Sequence, residues 1–134
     1  MQTNTLFALL SARQRWLGAR FNVLAQNVAN ADTPGYRPRD LDGSGFERLL
    51  AQRLGGEAPE TLRRTDPAHL AGPPPRLPVR ARLDPPVEIS PDGNAVVLAE
   101  QVQKLAATER DYALATSLFR KFRTMFETAV GSPR

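Results

Sequence analysis

Cysteine is absent from this 134-residue chain, which excludes both a disulfide framework and a thiolate metal site. Histidine is almost as scarce. His69 stands alone beside an Asp-Pro turn, so any His-dependent triad rests on one residue, and a structural hydrogen-bonding role is the simpler reading. No apolar run approaches the ~20 residues that span a bilayer. Neither a glycine-rich phosphate loop nor a cluster of metal ligands occurs, so nothing points to a cofactor, a small-molecule substrate or catalysis. Asp40 and Asp42 form the one acidic pair of note, and the neighbouring Arg37 and Arg39 make ion pairing its natural account.

The formal charge is +4, carried almost wholly by arginine. A basic balance raises nucleic acid or a membrane surface as partners. The arginines are scattered, however, and no run of five or six occurs, which fits solvated faces and interface ion pairs better. The N-terminus carries only a short apolar patch, Leu6 to Ala12, followed by Arg13 and Arg15. That is not a cleavable secretory signal, so export from the cytoplasm requires another route. Freedom from thiols suits an oxidising periplasm.

What the chain does have lies at its two ends. From about Asn4 to Ala31, apolar residues at Phe7, Leu10, Leu17, Phe21, Leu24, Val28 and Ala31 recur in steps of three and four, with Gln14 as a polar interruption. The spacing predicts one long helix with a coiled-coil-like seam. Gly18 within it is either a point of close approach for a neighbouring backbone or simply tolerated. From about Ala95 to Val130 the design repeats, with Leu98, Val102, Leu105, Tyr112, Phe119, Phe126 and Val130 on one seam and Leu118, Phe122, Met125 and Ala129 on a second stripe. Lys104 reads as an outward, solvated charge whose removal is mild. Each seam is too long to bury inside a small monomer, so packing within the subunit and against neighbours is expected; a self-contained helical hairpin or homodimer has the same periodicity.

Residues 37–93 differ in character. Phe46 to Leu54 is compatible with a short helix stopped by Gly55-Gly56. Seven of the twelve prolines fall between Ala71 and Gly93, including Pro73-Pro74-Pro75, which disfavours regular helix or a central strand. Leu77, Val79, Ala81 and Leu83 alternate with polar or proline positions as one short edge strand or an extended arm would. Asp92-Gly93 marks a turn, and Asn94 suits the N-cap of the last helix. The expected fold class is therefore mainly α. Long amphipathic terminal helices pack as a coiled-coil-like pair, with an extended proline-rich middle. The boundaries are 1–36, 37–93 and 94–134.

The sharpest signal is Asn30-Ala31-Asp32-Thr33-Pro34-Gly35-Tyr36. Pro34 ends the first helix by restricting Thr33 and lacking an N–H. Gly35 supplies the positive φ that the third position of a type II turn demands, and Tyr36 adds an amphipathic anchor. The pattern Asn30-x-x-Thr33-Pro34-Gly35-Tyr36 after an amphipathic helix resembles the signature of the bacterial flagellar rod and hook axial proteins. Arg37-Pro38-Arg39-Asp40-Leu41-Asp42, Thr65-Asp66-Pro67-Ala68-His69-Leu70 and Asp92 to Leu98 extend the resemblance, the first of these favouring the proximal-rod members. Gly43-Ser44-Gly45 is a departure, since the family more often places the Phe directly after the Asp.

The resemblance implies a non-enzymatic structural subunit of the flagellar basal-body rod, in the periplasm, part of the shaft that carries torque. It implies terminal helices paired into a tubular core and export through the flagellar type III apparatus. It also implies contact with other rod proteins, with the membrane-ring protein and its rod adaptor, and with copies of itself. Another rod subunit remains an alternative. So does a basic coiled-coil module for nucleic acid or membrane, which a salt-titrated DNA-binding measurement would separate.

Overall fold

The computed structural model describes residues 2–54 and 80–131. The Thr65–Leu70 motif with His69, Gly55-Gly56, the triple proline, and Leu77 and Val79 lie outside the described residues. Chain order is α1 (Gln2–Ala29), β1 (Arg39–Leu41), α2 (Ser44–Leu54), β2 (Ala81–Leu83) and α3 (Leu98–Val130). Two compact units result: Met1–Asp42 with Val79–Arg134, and Gly43–Pro78. The smaller unit contains α2, whose start is closed by the Gly43 carbonyl accepting from the Phe46 and Glu47 N–H groups. Its Ser44-Gly45 opening is the stretch where the sequence departs from the rod-protein pattern.

In the larger unit α1 and α3 run antiparallel. Phe7 meets Phe119 edge-on at 5.3 Å, the Gln14 Nε2 donates to Thr116 Oγ1 at 3.1 Å, and Asn27 reaches Gln101. With 28 and 33 residues, the helices extend for ~42 and ~50 Å at about 1.5 Å per residue. Gln14, the polar break in the first seam, thus answers Thr116, a polar position of the last.

The strands β1 and β2 pair antiparallel, Arg39 opposite Leu83, Asp40 opposite Arg82 and Leu41 opposite Ala81. Flanking bonds from Asp42 N–H to Arg80 O and from Asp84 N–H to Pro38 O continue the ladder at both ends. A strand at Ala81–Leu83 matches the alternation there. Its partner was not legible, because Arg39-Asp40-Leu41 carries two charges and has no alternating apolar pattern. Leu41 is the inward residue of β1, and it completes a core with Trp16, Leu17 and Ala115, against which Ala19 and Val23 pack.

This core is small. Trp16 is sandwiched by neighbours one turn away on α1, the Arg13 and Arg20 guanidiniums lying 4.9 and 5.6 Å from its ring centroid. Among the described residues its indole N–H meets no hydrogen-bond acceptor, and apolar packing and the two cations surround the ring. Gly18 makes no close approach in the subunit: a Cβ added there would meet nothing within 4 Å.

Candidate assembly surface

The α1 helix ends through its own backbone. Asn30 N–H bonds the Gln26 and Asn27 carbonyls, Ala31 N–H bonds Val28 O, and Thr33 N–H bonds Asn30 O. Side chains reinforce the stop, with Asn30 Nδ2 donating to Gln26 O at 2.8 Å and Thr33 Oγ1 to Asn30 Oδ1 at 3.1 Å. Thr33, Pro34, Gly35 and Tyr36 then form a β-turn closed by Tyr36 N–H to Thr33 O at 3.2 Å. Gly35 sits at φ +71°, the conformation a type II turn requires of its third residue.

A second tight turn, Ser90 to Gly93, lies directly against the first. Gly93 N–H bonds Ser90 O, and Gly35 N–H bonds Asp92 O at 3.1 Å. Gly93 is at φ +81°, a backbone conformation that favours glycine, while a Cβ there would make only an ordinary van der Waals contact with the Gly35 Cα at 3.5 Å. Gly35→Val is expected to impair assembly far more than Asp32→Ala. A β-branched residue at that φ is strained by more than about 1 kcal/mol, whereas Asp32 is exposed. Motility at matched expression is the check; equal motility of the two variants would contradict a required positive φ.

Two buried amides tie these parts together. Asn27 is fully buried. Its Nδ2 donates to Arg39 O at 2.7 Å and to Gln101 Oε1 at 2.8 Å, while its Oδ1 accepts from Arg39 N–H at 3.0 Å and Tyr36 Oη at 3.3 Å. One side chain therefore joins α1, the turn, β1 and α3. Asn94 does the same for the loops: its Nδ2 donates to Asn30 O and Thr33 O at 3.0 and 2.7 Å, and its Oδ1 accepts from Val96 N–H at 2.8 Å. The expectation that Asn94 caps α3 is corrected. That helix begins at Leu98 behind Val97, which makes no side-chain cap, and the Asn94 amide instead donates to the Asn30 and Thr33 carbonyls just past α1.

The ion pairs also differ from those expected. Asp40 pairs not with Arg37 or Arg39 but bidentately with Arg20, at 2.8 and 2.7 Å, and Asp42 meets Arg82 at 3.7 Å. Arg39 is exposed, whereas the half-buried Asp40 carboxylate lies within reach of Arg20 on α1. Burial pushes the Asp40 carboxyl up. The bonds from Arg20 and the Leu41 N–H, with the charges of Arg20 and Lys104, outweigh it and hold the group below its usual value. Its bond to Asp40 raises Arg20, against burial.

Lys104 is no solvated charge: its ammonium pairs with Asp84 and, at 2.8 Å, with Glu100. Burial lowers it, and the hydrogen bonds to those two carboxylates win and raise it. Lys104 thereby fixes Asp84, just past β2, to α3, and Lys104→Ala is no neutral control. A depressed Asp40 contributes stability above the ordinary carboxylate pKa of ~3.9 and loses it as pH falls through the folded value. A raised Lys104 contributes below ~10.4 and loses its contribution as pH climbs through its folded value. Asp40→Asn is therefore expected to cost about 2 kcal/mol at pH 7 and less at pH 3, below the unfolded carboxylate value. Urea midpoints at the two pH values check this; an equal loss at both would contradict the ion pair.

The helix faces explain what remains exposed. Leu17 and Leu24 are buried, Phe7, Leu10 and Val28 half-buried, and Phe21 exposed. On α3 the line pressed against α1 is Gln101, Thr108 and Ala115, seven residues apart. Thr108 is satisfied by donating to Lys104 O at 2.7 Å. The row of large residues anticipated from the sequence runs beside this line. Leu105 and Phe119 are half-buried, whereas Leu98, Val102, Tyr112 and Phe126 are 44–52% exposed. Phe126 still touches Phe7 edge-on at 6.3 Å. Leu114, Leu118 and Met125 are exposed on the opposite flank. Gly18, Phe21 and Asn22 face Glu109, Tyr112 and Ala113 across an open groove of about 530 Å³, floored by Leu17 and Thr108.

Among the described residues no metal-holding cluster occurs, and no helix is long and apolar enough to cross a membrane. Two long antiparallel helices, held at one end by the paired Pro34-Gly35 and Ser90–Gly93 turns, leave large apolar residues exposed. The flagellar basal body rod protein FlgB of Agrobacterium fabrum is 34% identical over 131 residues, spanning 93% of this chain and 92% of its own length. The chain belongs to the FlgB family of flagellar basal body rod proteins. FlgB of Cereibacter sphaeroides is 34% identical over 83% of this chain and 82% of its own, and that of Escherichia coli 32% identical over 73% and 72%. The model of the family described as flagella basal body rod protein matches residues 10–37.

As a FlgB-family protein the chain is a structural subunit of the basal-body rod. The matched stretch 10–37 takes in Trp16, Arg20, Asn27 and the whole turn, the residues that bind α1 to β1 and α3. Sequence reasoning found the turn but passed over Trp16, the Arg20–Asp40 pair and the roles of Asn27 and Gln101. A signal for Asn27 existed: it lies one position before Val28 in the seam and three before Asn30, on the helix flank that meets the returning chain.

Proposed function

We propose that this subunit belongs to the proximal rod and acts mechanically, as part of the shaft that transmits torque. The observation that carries the reading, given the family, is the apolar surface on the outside of the helix pair: Phe21, Leu98, Val102, Tyr112 and Phe126 are exposed in the lone subunit. Exposure of contiguous large apolar groups marks contact surfaces. In the rod, α1 and α3 pack as a coiled-coil-like pair, and neighbouring subunits cover these residues. Close-packed interiors do not deform continuously, so a wall of such pairs resists twisting.

The neighbours are other rod proteins, copies of this chain and, at the base, the membrane-ring protein and its rod adaptor. Delivery to the periplasmic rod runs through the flagellar type III apparatus. An unfolded chain in transit exposes seams that gain partners only on assembly, where ordering entropy is offset. Deleting the gene should leave cells without rods or flagella, and a tagged copy should be recovered with isolated basal bodies by mass spectrometry. Intact rods in the deletion strain would refute the reading.

A further inference from the structure

We propose that the groove between Phe21 and Tyr112 on one subunit receives the ridge formed by Leu114, Leu118 and Met125 on a second copy of the chain. The inference rests on the rod-subunit reading and names the partner of its exposed surface. The α3 line buried against α1, Gln101, Thr108 and Ala115, separates two unlike apolar flanks. On one side is a concavity. Gly18 leaves it open, since an added Cβ would meet nothing within 4 Å, and Phe21 and Tyr112 wall it. On the other side Leu114, Leu118 and Met125 stand 60, 38 and 55% exposed along one helical face.

Charge selects between the possible pairings. The groove carries Glu109 at its edge, and the ridge carries Lys121, which lies beside Met125. Groove against groove would put a Glu109 carboxylate on each side of the contact, and ridge against ridge a Lys121 ammonium on each. Groove against ridge instead sets Glu109 opposite Lys121. Such a contact uses different patches on the two copies, so it leaves a free groove and a free ridge at the ends and propagates into a ring or helix rather than closing as a dimer. Both flanks are available at once, because they lie on opposite sides of the line that α1 covers.

The test is disulfide trapping in assembled basal bodies, where a cysteine-free parent chain gives no background of its own. Two differently tagged chains, Gly18→Cys and Leu118→Cys, are produced together, and the basal bodies are oxidised. A cross-linked species bearing both tags is expected, with no like-tag dimer from either variant. Like-tag dimers, cross-links to another protein alone, or normal incorporation without any cross-link would overturn the proposal. If either cysteine chain fails to incorporate, charge exchange decides: Glu109→Lys and Lys121→Glu should each reduce incorporation about threefold or more, and the double variant should restore it. Failure of the double to recover would also overturn it. Recovery of the parent chain in basal bodies separately judges the rod reading, which stands or falls on that result.

Discussion

A Tyr112→Asp variant is expected to be secreted at the parental level and to leave cells non-motile. Tyr112 is 46% exposed in the subunit, so the substitution should alter the stability of the isolated fold by less than about 1 kcal/mol. The proposed assembly puts a neighbour over this position in the rod, where an unpaired carboxylate would cost several kcal/mol at every contact. Transport of an unfolded chain involves no such packed site. Val102→Asp on the same flank should behave alike, while Gln103→Ala, at an exposed polar position, should be silent. Secretion, motility and rod content of basal bodies are scored separately. Parental motility of both Asp variants would show that this flank contacts nothing.

The second large effect is on the fold itself. Asn27→Ala strands both backbone groups of Arg39, the Gln101 amide oxygen and the Tyr36 hydroxyl, which Asn27 satisfies in the parent. Each unsatisfied buried polar group costs about 1–3 kcal/mol. Some are reached by water once the side chain is gone, and a net loss of about 3 kcal/mol is expected. That corresponds to a fall of about 10 °C in thermal midpoint for a chain of this size. Gln26→Ala, the exposed neighbour on α1, should change the midpoint by a degree or two. A comparable midpoint for Asn27→Ala would mean the buried amide does not fasten the helices.

The sequence showed the turn because its constraint is local. Pro34 and Gly35 have few backbone choices, and those choices read the same with or without the rest of the chain. The two long helices were legible for a similar reason, being free of internal proline and periodic over many turns. The contact line on α3 was not, since Gln101, Thr108 and Ala115 are polar or small, and burial of such residues is decided by what faces them. Gln101 is buried because Asn27 is opposite, 74 positions away.

Asn94 illustrates the same limit. A short amide suits an N-cap and a loop clamp equally well, and only the Asn30 and Thr33 carbonyls, brought beside Asn94 by the fold, decide between them. β1 depended on a partner strand some 40 residues on, and Lys104 looked solvated until Asp84, beyond that partner, was placed beside it. Local chemistry thus gave the helices and the Pro-Gly punctuation. Pairings between the chain ends came from tertiary structure alone.

The central claim is that the exposed flanks of the helix pair are subunit contacts inside the rod. Electron cryomicroscopy of isolated basal bodies tests it most directly, with this chain's density assigned from Trp16, Tyr36 and the Pro34-Gly35 turn. The account predicts α1 and α3 antiparallel in the rod wall, with Phe21, Val102 and Tyr112 covered by neighbouring subunits. Density that places the chain outside the rod, or leaves those three side chains facing solvent, would contradict it.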